Sequence, residues 1–148
     1  IIIDMNSPIE IISGIWIGDI NHSQNKNFYI NNNIDIAINC TNDTEFIDLD
    51  SVKFKINIPF HRDYPTRNDI LVINEYIEKL LGIIYKSIDN HNIFIYSYNK
   101  FVIPLQIVSI FIIKYGKINK EAINDIIKSK IDAEEVNIDL GLYNHLIN

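Results

Sequence analysis

The sequence predicts a single α/β domain over residues 1–148, with a central sheet flanked by helices and a helical cluster at the C-terminal end. The first reason is composition, because 47% of the 148 residues are hydrophobic, which is enough to bury a sizeable core. The second is pattern, because segments of alternating apolar residues are interleaved with segments of helical spacing. The third is continuity, since the elements follow one another closely without a repeat or a Gly/Ser-rich linker.

Short apolar segments bounded by turn residues predict the strands of the sheet. They are Ile9–Ile12, Ile15–Ile17, Ile34–Cys40, Val52–Ile58 and Ile93–Ile95. A turn at Ser13-Gly14 joins the first two, and Asn31–Asn33 predicts another turn because asparagine tolerates left-handed backbone angles. Pro59 ends the fourth strand, since proline donates no N–H to a ladder. Ile93–Ile95 is short and continuously apolar, as expected of a central strand covered on both faces.

Segments with apolar residues at helical spacing predict the helices. They are a weak pattern over Asn21–Asn31, a helix from Asn68 or Asp69 to about Ser87, a core helix to about Tyr115, and helices over Asn119–Lys130 and about Leu140–Ile147. Asn68 or Asp69 is expected to cap the second helix, after a loop from Pro59 to Arg67. Gly116 is expected to end the core helix.

Charge and composition exclude several classes of function. The formal net charge is −6 and the isoelectric point about 5.1, so the chain lacks the basic excess of a sequence-independent nucleic-acid binder. The most apolar stretch, Phe101–Ile113, is too short to span a bilayer. Ile1–Met5 lacks the features of a signal peptide, and a single cysteine, Cys40, permits no intrachain disulfide. We therefore expect a cytoplasmic protein that does not bind membranes and has no strong signal for nucleic-acid binding, with a local basic patch left open.

Several short segments occur in an order and spacing that match a known family. They are Ile12–Gly18, Asn33–Cys40, Ile56–Pro59, Tyr115–Ala122 and Gly141–Leu146. In these segments the chain resembles the dual-specificity protein phosphatases over nearly its whole length. The resemblance implies a dual-specificity-phosphatase-like central mixed sheet flanked by helices. The abundance of residues with AT-rich codons is consistent with the viral members of the family, including those of poxviruses, which would place the protein in the host cytoplasm.

The resemblance places the family's catalytic signature, His-Cys-x-x-Gly-x-x-Arg-Ser/Thr, directly after the strand Ile93–Ile95. At every defined position of this signature, the chain has a residue of another type than the family uses. Tyr96 stands for the histidine, Ser97 for the cysteine, Lys100 for the glycine, Ile103 for the arginine and Pro104 for the Ser/Thr, with Tyr98, Asn99, Phe101 and Val102 between them. A cysteine-to-serine change made to trap a substrate would explain Ser97 alone.

These replacements remove the chemistry that the family uses. The nucleophile is a thiolate, which a serine hydroxyl does not form, and no general base is visible in the local sequence. The family's arginine binds two phosphate oxygens through its planar guanidinium group, and Ile103 has no hydrogen-bond donor in its side chain. Lys100 carries a Cβ where glycine would let the backbone approach the anion, and Pro104 removes an N–H. Where the family has its general acid this chain has Arg62, followed by Asp63.

Several residues keep two interpretations at this point. Lys100 could hold an anion or be a solvated loop lysine. Tyr96, Tyr98 and Phe101 could form an exposed partner-binding patch or pack into the space of the phosphate. His61, Arg62 and Asp63 could be a relic acid–base set or a solvated loop. His22, His91 and His145 have no metal-ligand spacing and are expected at the surface or in turns, whereas Cys40 is expected to be a small buried hydrophobe.

The sequence thus predicts a catalytically inactive pseudophosphatase without a cofactor or metal, which acts by binding. Its expected role is that of a scaffold, of a competitor for a phosphatase's protein partner, or of a homo-oligomer. Two alternatives stay open. One is a residual active phosphatase on a phosphoprotein or an RNA 5′ phosphate, and the other is a structural viral assembly protein.

Overall fold

A computed structural model describes residues 7–98, 101–131 and 138–147. Five strands form one mixed sheet in the order β1-β2-β5-β3-β4. They are β1 (Ile9–Ile12), β2 (Ile15–Asp19), β3 (Ile34–Asn39), β4 (Phe54–Asn57) and β5 (Asn92–Ser97). Only β1 is antiparallel to its neighbour, so the carboxyl ends of β2, β5, β3 and β4 lie at one edge of the sheet. The predicted central strand is confirmed, because β5 lies in the middle.

The five α-helices of the described residues occupy both faces of this sheet. They are α1 (Lys26–Asn31), α2 (Arg67–Ser87), α3 (Val102–Gly116), α4 (Lys120–Lys128) and α5 (Asn144–Ile147), the last preceded by a 3-10 turn over Gly141–Tyr143. The weak pattern over Asn21–Asn31 therefore yields a shorter helix than predicted, and the predicted last helix begins as a 3-10 turn. β5 extends beyond its predicted bounds, whereas β4 is shorter than predicted.

The sheet separates two hydrophobic clusters of different composition. One, between the sheet and α2 to α5, is built almost entirely of aliphatic side chains, with Ile11, Ile38 and Leu81 among those fully buried. The other covers the opposite face beneath α1. Its buried members are Phe28, Tyr29, Ile34, Ala37, Ile47, Val52, Phe94 and Tyr96. β5 contributes to both, since its residues alternate between the two faces.

Two helix boundaries differ from the prediction. Thr66, and neither Asn68 nor Asp69, caps α2: its hydroxyl accepts from the N–H of Asp69, whose carboxylate accepts from the N–H of Thr66. This is a capping box, in which two otherwise unpaired N–H groups are satisfied reciprocally. Gly116 is the last residue of α3, and the left-handed residue that follows is Lys117, with φ of 55°.

Both predicted tight turns are confirmed. Gly14 has φ of 88° between β1 and β2, and Asn33 has φ of 53° before β3. No helix of the described residues has the length and apolar character needed to cross a membrane.

Candidate functional site: a filled signature loop

The family signature falls at the junction between β5 and α3, at the edge of the sheet where the parallel strands end. Ser97 is the last residue of β5 and is paired in register with Asp19 of β2, and the preceding Tyr96 pairs with Asn39 of β3. A strand therefore ends at Ser97 and a helix begins just beyond it, which is the arrangement that the resemblance implies. Asn99 and Lys100 lie outside the described residues, so both interpretations of Lys100 stay predictions.

Ser97 is fully buried, at 0% exposure. A substrate must reach the nucleophile, and the packed side chains around this hydroxyl leave it no exposed surface. The hydroxyl also cannot supply the thiolate on which cysteine-dependent phosphatases rely. The position that the resemblance assigns to the nucleophile therefore holds a buried hydroxyl group.

The helix start that would bind phosphate is apolar. Ile103, at the position of the arginine, is 0% exposed and belongs to the aliphatic cluster. Phe101 and Pro104 are also buried, and Val102 is half-buried. Phe101 occupies the N-cap position of α3 without a side-chain capping bond. An anion placed here would meet hydrocarbon instead of a charged fork, and desolvating it without donors is costly.

Tyr96 occupies the position of the signature histidine and is fully buried in the aromatic cluster. Its ring centroid lies 5.3 Å from that of Phe94. The hydroxyl of Tyr96 has no hydrogen-bond partner among the described residues, and burial raises the pKa of this phenol above its usual range. For Tyr96 and Phe101 the exposed-patch interpretation is therefore wrong. Phe101 packs in the aliphatic cluster at the start of α3, whereas Tyr96 packs on the opposite face of the sheet and not in the space of a phosphate.

Tyr98 connects three loops at this edge. Its hydroxyl lies 2.5 Å from the carbonyl oxygen of Phe60 and 2.7 Å from Oδ1 of Asn42, and it accepts from the N–H of Asn42 at 3.2 Å. A hydroxyl has one proton, so it donates to one of the two oxygens at a time. The side-chain amide of Asn42 in turn lies 2.7 Å from Nδ1 of His61. The signature loop, the loop after β3 and the expected general-acid loop are thereby held together.

Two residues of the expected general-acid loop, His61 and Arg62, bond to groups outside that loop. Arg62 is exposed on its side chain and pairs with Asp69 at the start of α2, with 3.2 Å between Nε and Oδ2. Asp63 is half-buried, and His61 is exposed but bonded to Asn42. The solvated-loop interpretation is therefore correct for the exposure of His61 and Arg62, although both side chains have defined partners.

One histidine that sequence reasoning placed at the surface or in a turn is buried beside the site. His22 lies in the turn after β2, its Nδ1 accepts from the N–H of Asp19 at 3.1 Å, and its ring lies edge-on to that of Phe101. The structure thus brings a histidine and a buried aspartate to the edge where Ser97 lies. Only the tertiary fold reveals this, because His22 and Ser97 are far apart in sequence.

The other expected single residues are placed as follows. Cys40 follows β3 and is fully buried, as predicted, and burial raises the pKa of its thiol. His91 lies in a turn with Nδ1 2.6 Å from Oδ2 of Asp35, and His145 contacts Asn74 of α2. Within the described ranges no three His, Cys, Asp or Glu side chains are grouped so that they could hold a metal ion.

The comparisons with known proteins agree with this geometry. No protein-family model and no curated protein matches the chain. Solved structures do match. Human DUSP28 superposes with a TM-score of 0.74 at 10% identity, covering 94% of this chain and 89% of that one. A leucine-rich-repeat and phosphatase domain-containing protein from Entamoeba histolytica gives 0.68 at 18% identity, covering 96% and 89%.

A third similar structure is that of the human tyrosine phosphatase-like serine/threonine/tyrosine-interacting protein. It superposes with a TM-score of 0.64 at 11% identity and covers 94% of this chain and 92% of that one. At identities this low the likeness establishes the fold alone. The chain therefore has the fold of the dual-specificity phosphatases, as the segments Ile12–Gly18 to Gly141–Leu146 predicted.

Proposed function

We propose that this chain is a catalytically inactive domain with the dual-specificity phosphatase fold, and that it acts by binding a protein. The observation that carries the proposal is the complete burial of Ser97 and Ile103, where the fold would otherwise present a nucleophile and a phosphate-binding cation. A site that has lost both groups and closed over them has no route to the family's reaction.

A second line of support comes from the loops around the site. Phosphoryl transfer by this fold would need a proton donor near the leaving group, within hydrogen-bond reach of it. The residue at that position, Arg62, is engaged with Asp69 of α2. Its neighbour Asp63 would need the loop to move, and Tyr98 holds this loop at Phe60. The same arrangement weighs against residual activity on a phosphoprotein or an RNA 5′ phosphate.

The binding role is supported by analogy. One solved structure with this fold is, by its name, a phosphatase-like interacting protein. A domain that buries Ser97 and Ile103 keeps the outer surface of the fold for partners, as a scaffold, a competitor or a homo-oligomer. A viral origin, a role in viral assembly and a cytoplasmic location stay predictions.

The proposal is tested with p-nitrophenyl phosphate as substrate, for the natural chain and for Ser97→Cys, with Ser97→Ala as the control for contaminating phosphatases. We expect turnover in all three to equal the Ser97→Ala background, because the restored thiol would lack both the arginine and an open loop. Loss of an oxyanion donor alone costs about 100- to 1000-fold in rate. Turnover above background by either the natural chain or Ser97→Cys would overturn the proposal.

Phosphate binding is tested separately by titrating inorganic phosphate into the isotopically labelled chain. We expect no saturable shift of the amide signals of Tyr98, Phe101 and Val102. A saturable shift confined to these amides would show that the loop still recognises phosphate, and it would contradict the filled site.

A further inference from the structure

The edge of the sheet formed by β4 combines an outer side without a strand partner, exposed apolar side chains and exposed lysines. β4 pairs only with β3, so its outer side has no strand partner among the described residues. The N–H of Lys53 donates to the carbonyl of Asp35 at 2.9 Å. Because backbone groups alternate along a strand, the N–H of Phe54 points away from β3. This edge can therefore accept a further strand.

The side chains of β4 also alternate in character. Phe54 and Ile56 pair in register with Ile36 and Ile38 of the aliphatic cluster, so both lie on the face that α2 covers. Phe54 is nevertheless 52% exposed, because β4 is at the edge. On the opposite face, Lys55 and the preceding Lys53 are both exposed.

The flank of α2 that faces this edge is apolar. Contacts from Asn74 to His145 and from Tyr85 to Tyr115 place α5 and α3 along one flank of α2. Val72, Tyr76 and Ile83 recur at helical spacing on the opposite flank. All three side chains are exposed, Tyr76 to 53% and Ile83 to 40%. A row of three exposed apolar side chains is unusual on a protein surface. α2 connects the parallel strands β4 and β5 and therefore runs antiparallel to both, and its flank away from α3 and α5 is the one towards β4.

Exposed lysines flank the groove between the outer edge of β4 and the apolar row of α2, where Glu75 is also exposed, one helical turn before Lys79. Lys79 and Lys86 lie next to the apolar row of α2, and Lys53 and Lys55 lie on the far face of β4. Among the described residues no carboxylate lies within ion-pair distance of any of these four lysines. In a chain of net charge −6, four unpaired lysines beside an exposed apolar groove favour a negatively charged occupant.

We propose that the outer edge of β4 and the facing flank of α2 bind an extended, acidic segment of a partner protein by strand addition. Successive side chains of an added strand point to opposite faces, so the segment alternates. Its apolar residues face Tyr76 and Ile83, and its acidic residues face Lys53 and Lys55. The inference rests on the proposed binding role and names the chemical class of the partner. It does not depend on the signature loop.

The probe is a fluorescein-labelled peptide of alternating valine and glutamate, about eight residues long, which is within the usual length of a strand. Its binding is followed by fluorescence anisotropy, with the alternating valine–lysine peptide as the probe control. We expect saturable binding of the glutamate peptide and none of the lysine peptide. Absence of saturable binding by the glutamate peptide would overturn the inference while leaving the lack of phosphatase activity unaffected.

Three pairs of variants locate the site. Lys53→Glu/Lys55→Glu should weaken binding about tenfold, while Lys128→Glu/Lys130→Glu, with the same change in net charge on exposed residues at and just beyond the end of α4, should not. Ile83→Ser should weaken binding, whereas Leu71→Ser, on an exposed residue off the groove, should leave it unchanged. Phe54→Pro removes an outward N–H and should abolish binding, while Phe54→Val should retain most of it.

Three results contradict the inference even if the peptide binds. The first is equal loss in a variant and its control, which would indicate that binding is not confined to this surface. The second is a dimer of the natural chain in sedimentation that becomes a monomer in Phe54→Pro, which would mean that β4 pairs with a second copy of this chain. The third is self-association of Lys53→Glu/Lys55→Glu alone, which would mean that these lysines only protect the edge from pairing.

Discussion

The hydroxyl of Tyr98 lies 2.5 Å from the carbonyl oxygen of Phe60, and this contact joins the signature loop to the loop in which a general acid is expected. In an active enzyme these two loops must separate enough to admit a substrate and then close on it. Here a side chain of the signature loop bonds the other loop directly, and Asn42 extends the connection to His61.

This connection predicts the effect of removing one oxygen atom. Tyr98→Phe should lower the free energy of unfolding by about 1 kcal/mol, the usual net contribution of a hydrogen bond. Amide hydrogen exchange of Phe60 and His61 should become faster, because the loop loses its attachment. Tyr64→Phe, on an exposed tyrosine of the same loop, is the control and should change neither quantity. Unchanged exchange in Tyr98→Phe would mean that the loop is held by its other contacts.

The buried position of Ile103 predicts that the family's arginine is no longer tolerated there. Ile103→Arg should lower the free energy of unfolding by more than about 3 kcal/mol, because a buried side chain is lost and an unpaired charge is introduced. Urea unfolding measures this, and Ile30→Arg on the exposed surface of α1 is the control, expected within about 0.5 kcal/mol of the natural chain. Equal stability of Ile103→Arg would show an open and polar pocket.

Buried phenols predict a loss of stability at high pH. Burial raises the pKa of Tyr29, Tyr96 and Tyr143. The folded state therefore keeps these protons at a pH where the unfolded chain, with phenol pKa values of about 10, releases them. The contribution is fully present below about pH 10 and is lost as the pH rises further. Urea unfolding between about pH 8 and 11 should show this decline. Absorbance of tyrosinate should rise first from exposed tyrosines such as Tyr64, and the remaining rise should accompany unfolding.

A matched variant separates one phenol from the rest. Tyr96→Phe should reduce the alkaline decline and should not lower stability at neutral pH, because its hydroxyl has no partner among the described residues. Tyr29→Phe removes a hydroxyl that donates to the carbonyl of Ser23 at 2.9 Å, and it should lower stability at neutral pH. Equal losses in the two variants at neutral pH would contradict this distinction.

The capping box of α2 predicts an effect at low pH. The N–H of Thr66 holds the pKa of the Asp69 carboxyl below its usual range, so the stabilisation is present above the pKa of an unfolded aspartate and is lost as the pH falls through the folded pKa. Asp69→Asn should therefore cost about 1 kcal/mol at pH 7 and almost nothing at about pH 2. Asp125→Asn, on an exposed aspartate of α4, should cost little at either pH. A cost of Asp69→Asn that does not change with pH would exclude the charge as its cause.

The pattern of the sequence was sufficient for the features that depend on neighbouring residues. The apolar run Ile93–Ile95 predicted a central strand, and the signature spacing predicted which positions lie at its end. The box Thr66-x-x-Asp69 is also readable in the sequence, but the prediction placed the cap at Asn68 or Asp69, next to the apolar pattern, instead of at Thr66. Lys117 was missed because Gly116, one residue earlier, is the more common residue for a left-handed helix end.

Features that depend on packing between distant segments could not be predicted. Burial of His22 follows from its contacts with Asp19 and with Phe101, which come from different elements. Whether the side chain of Tyr96 is exposed or buried depends on whether Phe28 and Phe94 leave room for its ring beneath α1. Spacing within one segment carries no information on either, because both are decided by side chains brought together only in the folded chain.

The burial of Ile103 also has an evolutionary consequence. A chain that regained arginine at this position would lose stability at once, while turnover would still require a thiol at Ser97 and an accessible loop. Each substitution alone would bring a cost or no benefit, and a mutational path that began with the thiol would meet the same barrier one step later. For the inactive domain that we propose, the packing around Ile103 would therefore oppose a stepwise return to catalysis.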